Sequence, residues 1–172
     1  VYKRQSAIRP GDVLKTRNGK TIEVMNTDAE GRLIMADALA FASETKPDLI
    51  CDIATLTGAS YVALGLDIGA ILSNNREIEN KFIESSKNIG EHFHPLPLFD
   101  QYRKLIDSDI ADMKNTGGRF GGAITAALLL REFIGDNNWI HLDIAGPARS
   151  DNRKGATGFG VNSLYEFMKN LD

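Results

Sequence analysis

Apolar and polar positions recur with two different periods along this chain, and each change of period marks an element. Val13-Leu14-Lys15-Thr16 and Thr21-Ile22-Glu23-Val24 are short extended runs on either side of Asn18-Gly19. That dipeptide predicts a hairpin with a type I′ turn, whose two central residues both need positive φ. After Arg32, the positions Leu33, Ala36, Leu39, Ala40 and Ser43 recur at helical spacing and stop before Pro47, which cannot continue a helix. Leu49 to Ala54 is a short apolar run suited to a strand buried on both faces, and Gly69-Ala70-Ile71-Leu72 is a weaker second case. Arg76 to Ile89 is polar but helical in period, Ala123 to Phe133 is an apolar helix, and Gly160 to Leu171 is an amphipathic one. Trp139 to Ile144 reads as a central strand that stops at Gly146-Pro147. His92 to Leu98 reads as a stiff, proline-punctuated connector whose two histidines are solvated or packing groups rather than ligands.

Strands alternating with helices predict an α/β fold, a three-layer sandwich with a largely parallel central sheet flanked by helices. In such folds sites gather at the carboxyl ends of the strands. Three segments follow strand-like runs and could line one rim: Asp28-Ala29-Glu30, Thr55-Leu56-Thr57-Gly58 and Ala145-Gly146-Pro147-Ala148.

Composition narrows the class without naming a function. The 172 residues are 42% hydrophobic and 25% charged, enough for one domain with a real core. Twenty basic residues against 23 acidic ones give a net charge of −3, so there is no electrostatic footprint for nucleic acid or an anionic membrane. No apolar run approaches the roughly 20 residues of a membrane span, and the chain is expected to be cytoplasmic. The single cysteine, Cys51, excludes a disulfide framework and is expected to be a buried, inert thiol.

The candidate chemistry lies in Asn26-Thr27-Asp28-Ala29-Glu30-Gly31-Arg32-Leu33. If the backbone stays extended, Asp28, Glu30 and Arg32 point to one side. Two carboxylates that close repel unless a cation or proton sits between them, which favours a divalent-metal site with an arginine ready to hold an anion. The competing readings are a solvated acidic turn and, for Arg32, a surface salt bridge. Thr116-Gly117-Gly118-Arg119-Phe120-Gly121-Gly122 invites a phosphate-loop reading but lacks the closing Gly-Lys-Ser/Thr. Close backbone packing is the better account of those glycines.

The eight-residue run resembles the signature of the leucyl aminopeptidase (M17, cytosol aminopeptidase) family. Asp52-Ile53-Ala54-Thr55-Leu56-Thr57-Gly58-Ala59, Ala111-Asp112-Met113-Lys114-Asn115 and Trp139-Ile140-His141-Leu142-Asp143-Ile144-Ala145-Gly146 resemble its later blocks, in the same order. The resemblance implies that residues 6–172 are the C-terminal part of a catalytic domain, and that Val1 to Gln5 are a non-native leader. The family's N-terminal domain, and a segment with a lysine and two aspartates that complete the metal site, would lie upstream, as would a second, catalytic lysine. By the same resemblance, Asp28 and Glu30 are ligands of two divalent ions, zinc or manganese. Arg32 is catalytic and holds a bicarbonate. Leu56 and Gly58 contact substrate through their backbones, and Thr55, Ala145 and Ala148 line the pocket for a leucine-like N-terminal residue. Asp112, Lys114, His141 and Asp143 are expected to be structural or hydrogen-bonding groups. The implied partners are peptide substrates and, for the full-length enzyme, five further copies in a homohexamer, while this piece alone is expected to be inactive. The alternative is a non-catalytic binding or assembly protein built on the same fold.

Overall fold

The computed structural model describes residues 7–150 and 153–171, so the expected non-native leader at residues 1–5 lies outside the described residues. In chain order the elements are β1 (Val13–Lys15), β2 (Thr21–Glu23), α1 (Gly31–Glu44), β3 (Ile50–Ala54), α2 (Gly58–Leu64), β4 (Ile68–Ser73), α3 (Arg76–Asn88) and β5 (His92–Pro95). A 3-10 helix (Asp100–Ile106), β6 (Met113–Lys114), α4 (Gly122–Arg131), β7 (Trp139–Asp143), β8 (Arg149–Ser150), β9 (Arg153–Ala156) and α5 (Val161–Lys169) follow.

Strands β1 and β2 pair antiparallel with Leu14 opposite Ile22. The hairpin forms where expected, but its turn is not type I′. Thr16 N–H donates to the Lys20 carbonyl at 2.8 Å, Gly19 N–H donates to the Thr16 carbonyl at 2.9 Å, and Gly19 alone in the turn has positive φ, at 89°. This is the three-residue loop, a type I turn followed by a left-handed residue. Asn18 contributes through its side chain, whose Oδ1 accepts from Thr16 Oγ1 and Lys20 N–H. Strand β6 joins β2 in parallel, giving a small sheet of order β1-β2-β6.

The large sheet has the order β3-β7-β4-β5 and is mixed, with β3·β7 and β4·β5 parallel and β4·β7 antiparallel. Every residue of β7 is buried, as its central position requires. Side-chain alternation splits the core into two layers. Ile50, Ala70, Leu72 and Trp139 pack with Ala36, Leu39 and Ala40 of α1 and Leu129 and Leu130 of α4. On the other face Ile71, Ile140 and Leu142 meet Phe82 of α3, Phe93 of β5 and Phe167 of α5. There the rings of Phe82 and Phe93 stand 5.0 Å apart edge to face. Helices cover both faces of the sheet, and the three-layer α/β sandwich holds.

Two expectations are corrected. Strand β3 is not buried on both faces: it is an edge strand of alternating burial, with Cys51 exposed and Ile53 38% exposed. Its face toward α1 is covered, with Ile50 packed in the same cluster as Ala36, Leu39 and Ala40. The connector at residues 92–98 begins as a strand, because Phe93 inserts into the core while His92 and His94 alternate outward to solvent. The helix after Arg32 forms as read, and so do those starting at residues 76, 122 and 161. Helix α3 shows why: Asn75 Oδ1 accepts from the N–H groups of Glu77 and Ile78, Glu77 and Glu79 sit at its positive end, and Lys87 sits at its negative end.

Candidate active site

The chain leaves β2 and reverses before entering α1. Asn26 Oδ1 accepts from Asp28 N–H at 2.9 Å, and the Asn26 carbonyl accepts from Ala29 N–H at 3.3 Å. Glu30 is already helical, with φ −72° and ψ −32°, and its carbonyl accepts from Leu33 and Ile34 N–H. The extended-backbone argument for Asp28, Glu30 and Arg32 therefore fails. A turn followed by the first turn of α1 brings the three together on one cavity of about 530 Å³. Thr55, Leu56 and Gly58 share its lining, as do Ile34 and Met35 of α1. No hydrogen bond or ion pair from another described residue reaches either carboxylate.

Arg32 is not a surface salt-bridge residue. It is 8% exposed, and its buried Nε has no hydrogen-bond partner among the described residues. Burial lowers its pKa, with Asp143 and Glu30 opposing that shift through their negative charge. A guanidinium stays charged in proteins, and a buried charge needs a counter-charge. Arg32 lines the same cavity as Asp28 and Glu30, and its Nε–H is left unpaired among the described residues.

Asp143, at the end of β7 and 1% exposed, organises the opposite wall. Its Oδ1 accepts from Leu56 N–H at 3.0 Å and Thr57 N–H at 3.4 Å, and its Oδ2 accepts from Thr57 Oγ1–H at 2.6 Å. Thr57 Oγ1 in turn accepts from Ser60 N–H at 3.1 Å and caps α2. One carboxylate thus fixes the loop that carries Thr55, Leu56 and Gly58. Ala145 and Ala148 are half-buried and are not part of this cavity's lining. Ala145 N–H bonds Asp143 Oδ1 at 3.3 Å, and Ala148 N–H bonds the Ile144 carbonyl at 3.0 Å. The three rim segments also come from two sheets rather than one, since the carboxylate turn leaves the small sheet.

The remaining polar groups build scaffold. His141 Nδ1 lies 2.5 Å from Asp52 Oδ1, and Trp139 Nε1–H donates to Asp52 Oδ2 at 2.6 Å, joining β7 to β3. Asp112 accepts from Thr21 N–H and Oγ1–H, and Lys114 extends β6. Sequence reasoning missed the reach of Asp143 into the 55–58 loop. The period-2 column Trp139, His141, Asp143 on a fully buried strand was the available signal, because a buried carboxylate there must find donors. Met35 was missed because it falls outside the helical series Leu33, Ala36, Leu39, Ala40 and Ser43 that the periodicity picks out.

The model of the cytosol aminopeptidase family, catalytic domain, matches residues 3–165. A probable cytosol aminopeptidase of Prochlorococcus marinus (strain MIT 9312) is 53% identical over 171 residues, covering 96% of this chain and 35% of that protein. Another, from Chloroherpeton thalassium, is also 53% identical, covering 96% and 34%. Among solved structures, a mutant tomato leucine aminopeptidase superposes with a TM-score of 0.92 at 46% identity, over 95% of this chain and 32% of that one. The chain thus spans about a third of the length of the relatives it matches. With the family's blocks present in order and its fold reproduced, this chain belongs to the cytosol aminopeptidase family.

Proposed function

We propose that this chain forms one wall of the catalytic site of a metal-dependent aminopeptidase that removes leucine-like N-terminal residues from peptides. The observation that carries the reading is Arg32, which lines the same cavity as Asp28 and Glu30 and whose buried Nε has no hydrogen-bond partner among the described residues. The printed names of the relatives and of the tomato enzyme support the same direction.

Asp28 and Glu30 are hard oxygen donors whose carboxylates have no partner among the described residues, which suits manganese or zinc. Two carboxylates are only part of a ligand shell, and no group of three His, Cys, Asp or Glu that could hold a metal ion occurs among the described residues. In this reading the other ligands come from another part of the polypeptide. When bound, a metal pair supplies Lewis-acid polarisation of the scissile carbonyl and acidifies a bound water. Arg32 holds a carboxylate-like anion, bicarbonate in this reading, where a proton must be accepted, a task suited to its planar fork. The backbone around Leu56 and Gly58 orients the peptide, and Thr55 faces the N-terminal side chain. Ala145 and Ala148 join that pocket only where further chain closes it. Assembly is homohexameric and the compartment is cytoplasmic in the same reading.

The test is Glu30→Ala in a polypeptide carrying the complete catalytic domain. Turnover of a leucyl amide should fall steeply and elemental analysis should show lost metal. Retained turnover with full metal content overturns the reading.

A further inference from the structure

We infer that Asn115 is the positioning residue of the carboxylate loop, an inference that rests on reading Asp28 and Glu30 as metal ligands. Asn115 follows β6 and is fully buried, at 0% exposure. Its backbone N–H donates to the Glu23 carbonyl at 2.9 Å, prolonging the parallel pairing with β2. The side chain therefore lies across the point where the chain leaves the small sheet. Its Oδ1 accepts from Met25 N–H at 2.9 Å and Asn26 N–H at 3.1 Å. Its Nδ2 donates to the Asn26 carbonyl at 2.7 Å and the Ala29 carbonyl at 3.4 Å.

A primary amide offers two acceptor sites and two donor hydrogens, and all four are used on one loop. Reversing the amide would set its NH2 against two N–H groups, so the network itself fixes the orientation. From the clamped Asn26 a further bond runs to Asp28 N–H, and the clamped Ala29 carbonyl immediately precedes Glu30. Both carboxylates thus hang from a turn whose backbone is held by one buried side chain, while Met25, Asn26, Thr27 and Asp28 are exposed. Holding the loop in place before an ion arrives removes ordering entropy from the binding step. Asn115 touches neither the cavity nor the carboxylates, so it acts through the loop.

The experiment uses a polypeptide carrying the complete catalytic domain with Mn2+ alone as probe, comparing wild type, Asn115→Ala, Asn115→Asp and Glu30→Ala. Amide hydrogen exchange reads the clamp, and a Mn2+ titration followed by electron paramagnetic resonance reads its consequence. In Asn115→Ala the amides of Met25, Asn26, Asp28 and Ala29 should exchange faster while those of α4 keep their protection. Mn2+ affinity should fall roughly tenfold, the scale at which residues supporting metal ligands act. Asn115→Asp keeps the acceptor half and loses both donors, so protection at Met25 and Asn26 should survive and affinity should lie between wild type and Asn115→Ala. It also carries the comparison if the alanine variant does not fold. A purely structural residue would lower protection of loop and α4 together and leave the Mn2+ affinity of the folded chain unchanged, and either result overturns the inference. Unchanged loop exchange overturns the clamp itself, whereas wild type binding Mn2+ no better than Glu30→Ala overturns the metal reading beneath it.

Discussion

Arg32 is where sequence and physics meet most directly. The residue type and its place two positions after Glu30 were legible because charged groups in a short run between a strand and a helix are conspicuous. Their geometry was not legible: alternation along an extended strand was the wrong reason for a correct juxtaposition, since Glu30 is already helical. A local turn depends on hydrogen bonds that Asn115 Oδ1 accepts from some ninety residues away, and no short window of sequence contains that partner. The prediction at this scale concerns Arg32→Ala in the complete catalytic domain. It should lower kcat by at least tenfold with metal stoichiometry unchanged, and added bicarbonate should stimulate wild type but not the variant. Loss of metal from the variant, read by elemental analysis, would assign Arg32 to the ligand shell instead.

Elements were legible wherever burial is one-sided and long, as in α1, α3 and α5. Strand β5 was not, because a proline at its end and two outward histidines look like loop until Phe93 is known to enter the core. The edge position of β3 was hidden for the opposite reason, since its composition is that of a central strand. The 3-10 helix after Phe99 has no periodicity to detect, yet it helps hold the hairpin to α4. Glu132 at the end of α4 accepts from Lys20 Nζ at 2.5 Å and from Arg103 Nε at 2.7 Å. Desolvation alone would raise its pKa, but the two cations together outweigh it and hold the carboxyl below the ordinary 4.5. A depressed folded value means the contribution to stability is complete above 4.5 and is lost as pH falls through the folded value. Glu132→Gln should therefore flatten the fall of the urea midpoint below pH 4.5. An unaltered slope would show that this junction carries no linked proton.

At the scale of the whole molecule, one side of the sandwich is left open. Among the described residues β3 has one unpaired edge, and apolar side chains stand exposed on it and on two helices: Ile53 on β3, Ile34 and Phe41 on α1, Val161, Tyr165 and Met168 on α5. Unpaired strand edges with apolar flanks recruit other chains. The isolated 172-residue chain should release no leucine from a leucyl amide in zinc or manganese and should self-associate on sizing, and Ile53→Lys should shift it toward monomer. Metal-dependent turnover by a well-behaved monomer would overturn both expectations and the partial ligand set with them. The two-sheet construction has its own consequence. The turn bearing Asp28 and Glu30 is anchored to the small sheet through Asn115, and the 55–58 loop is anchored to the large sheet through Asp143. No strand is common to both. Under the proposed function, a substitution that reshapes the 55–58 loop at its Asp143 anchor leaves the hydrogen bonds that hold the Asp28–Glu30 turn untouched, so the wall that would meet the substrate and the turn that would meet the ions can be altered one at a time.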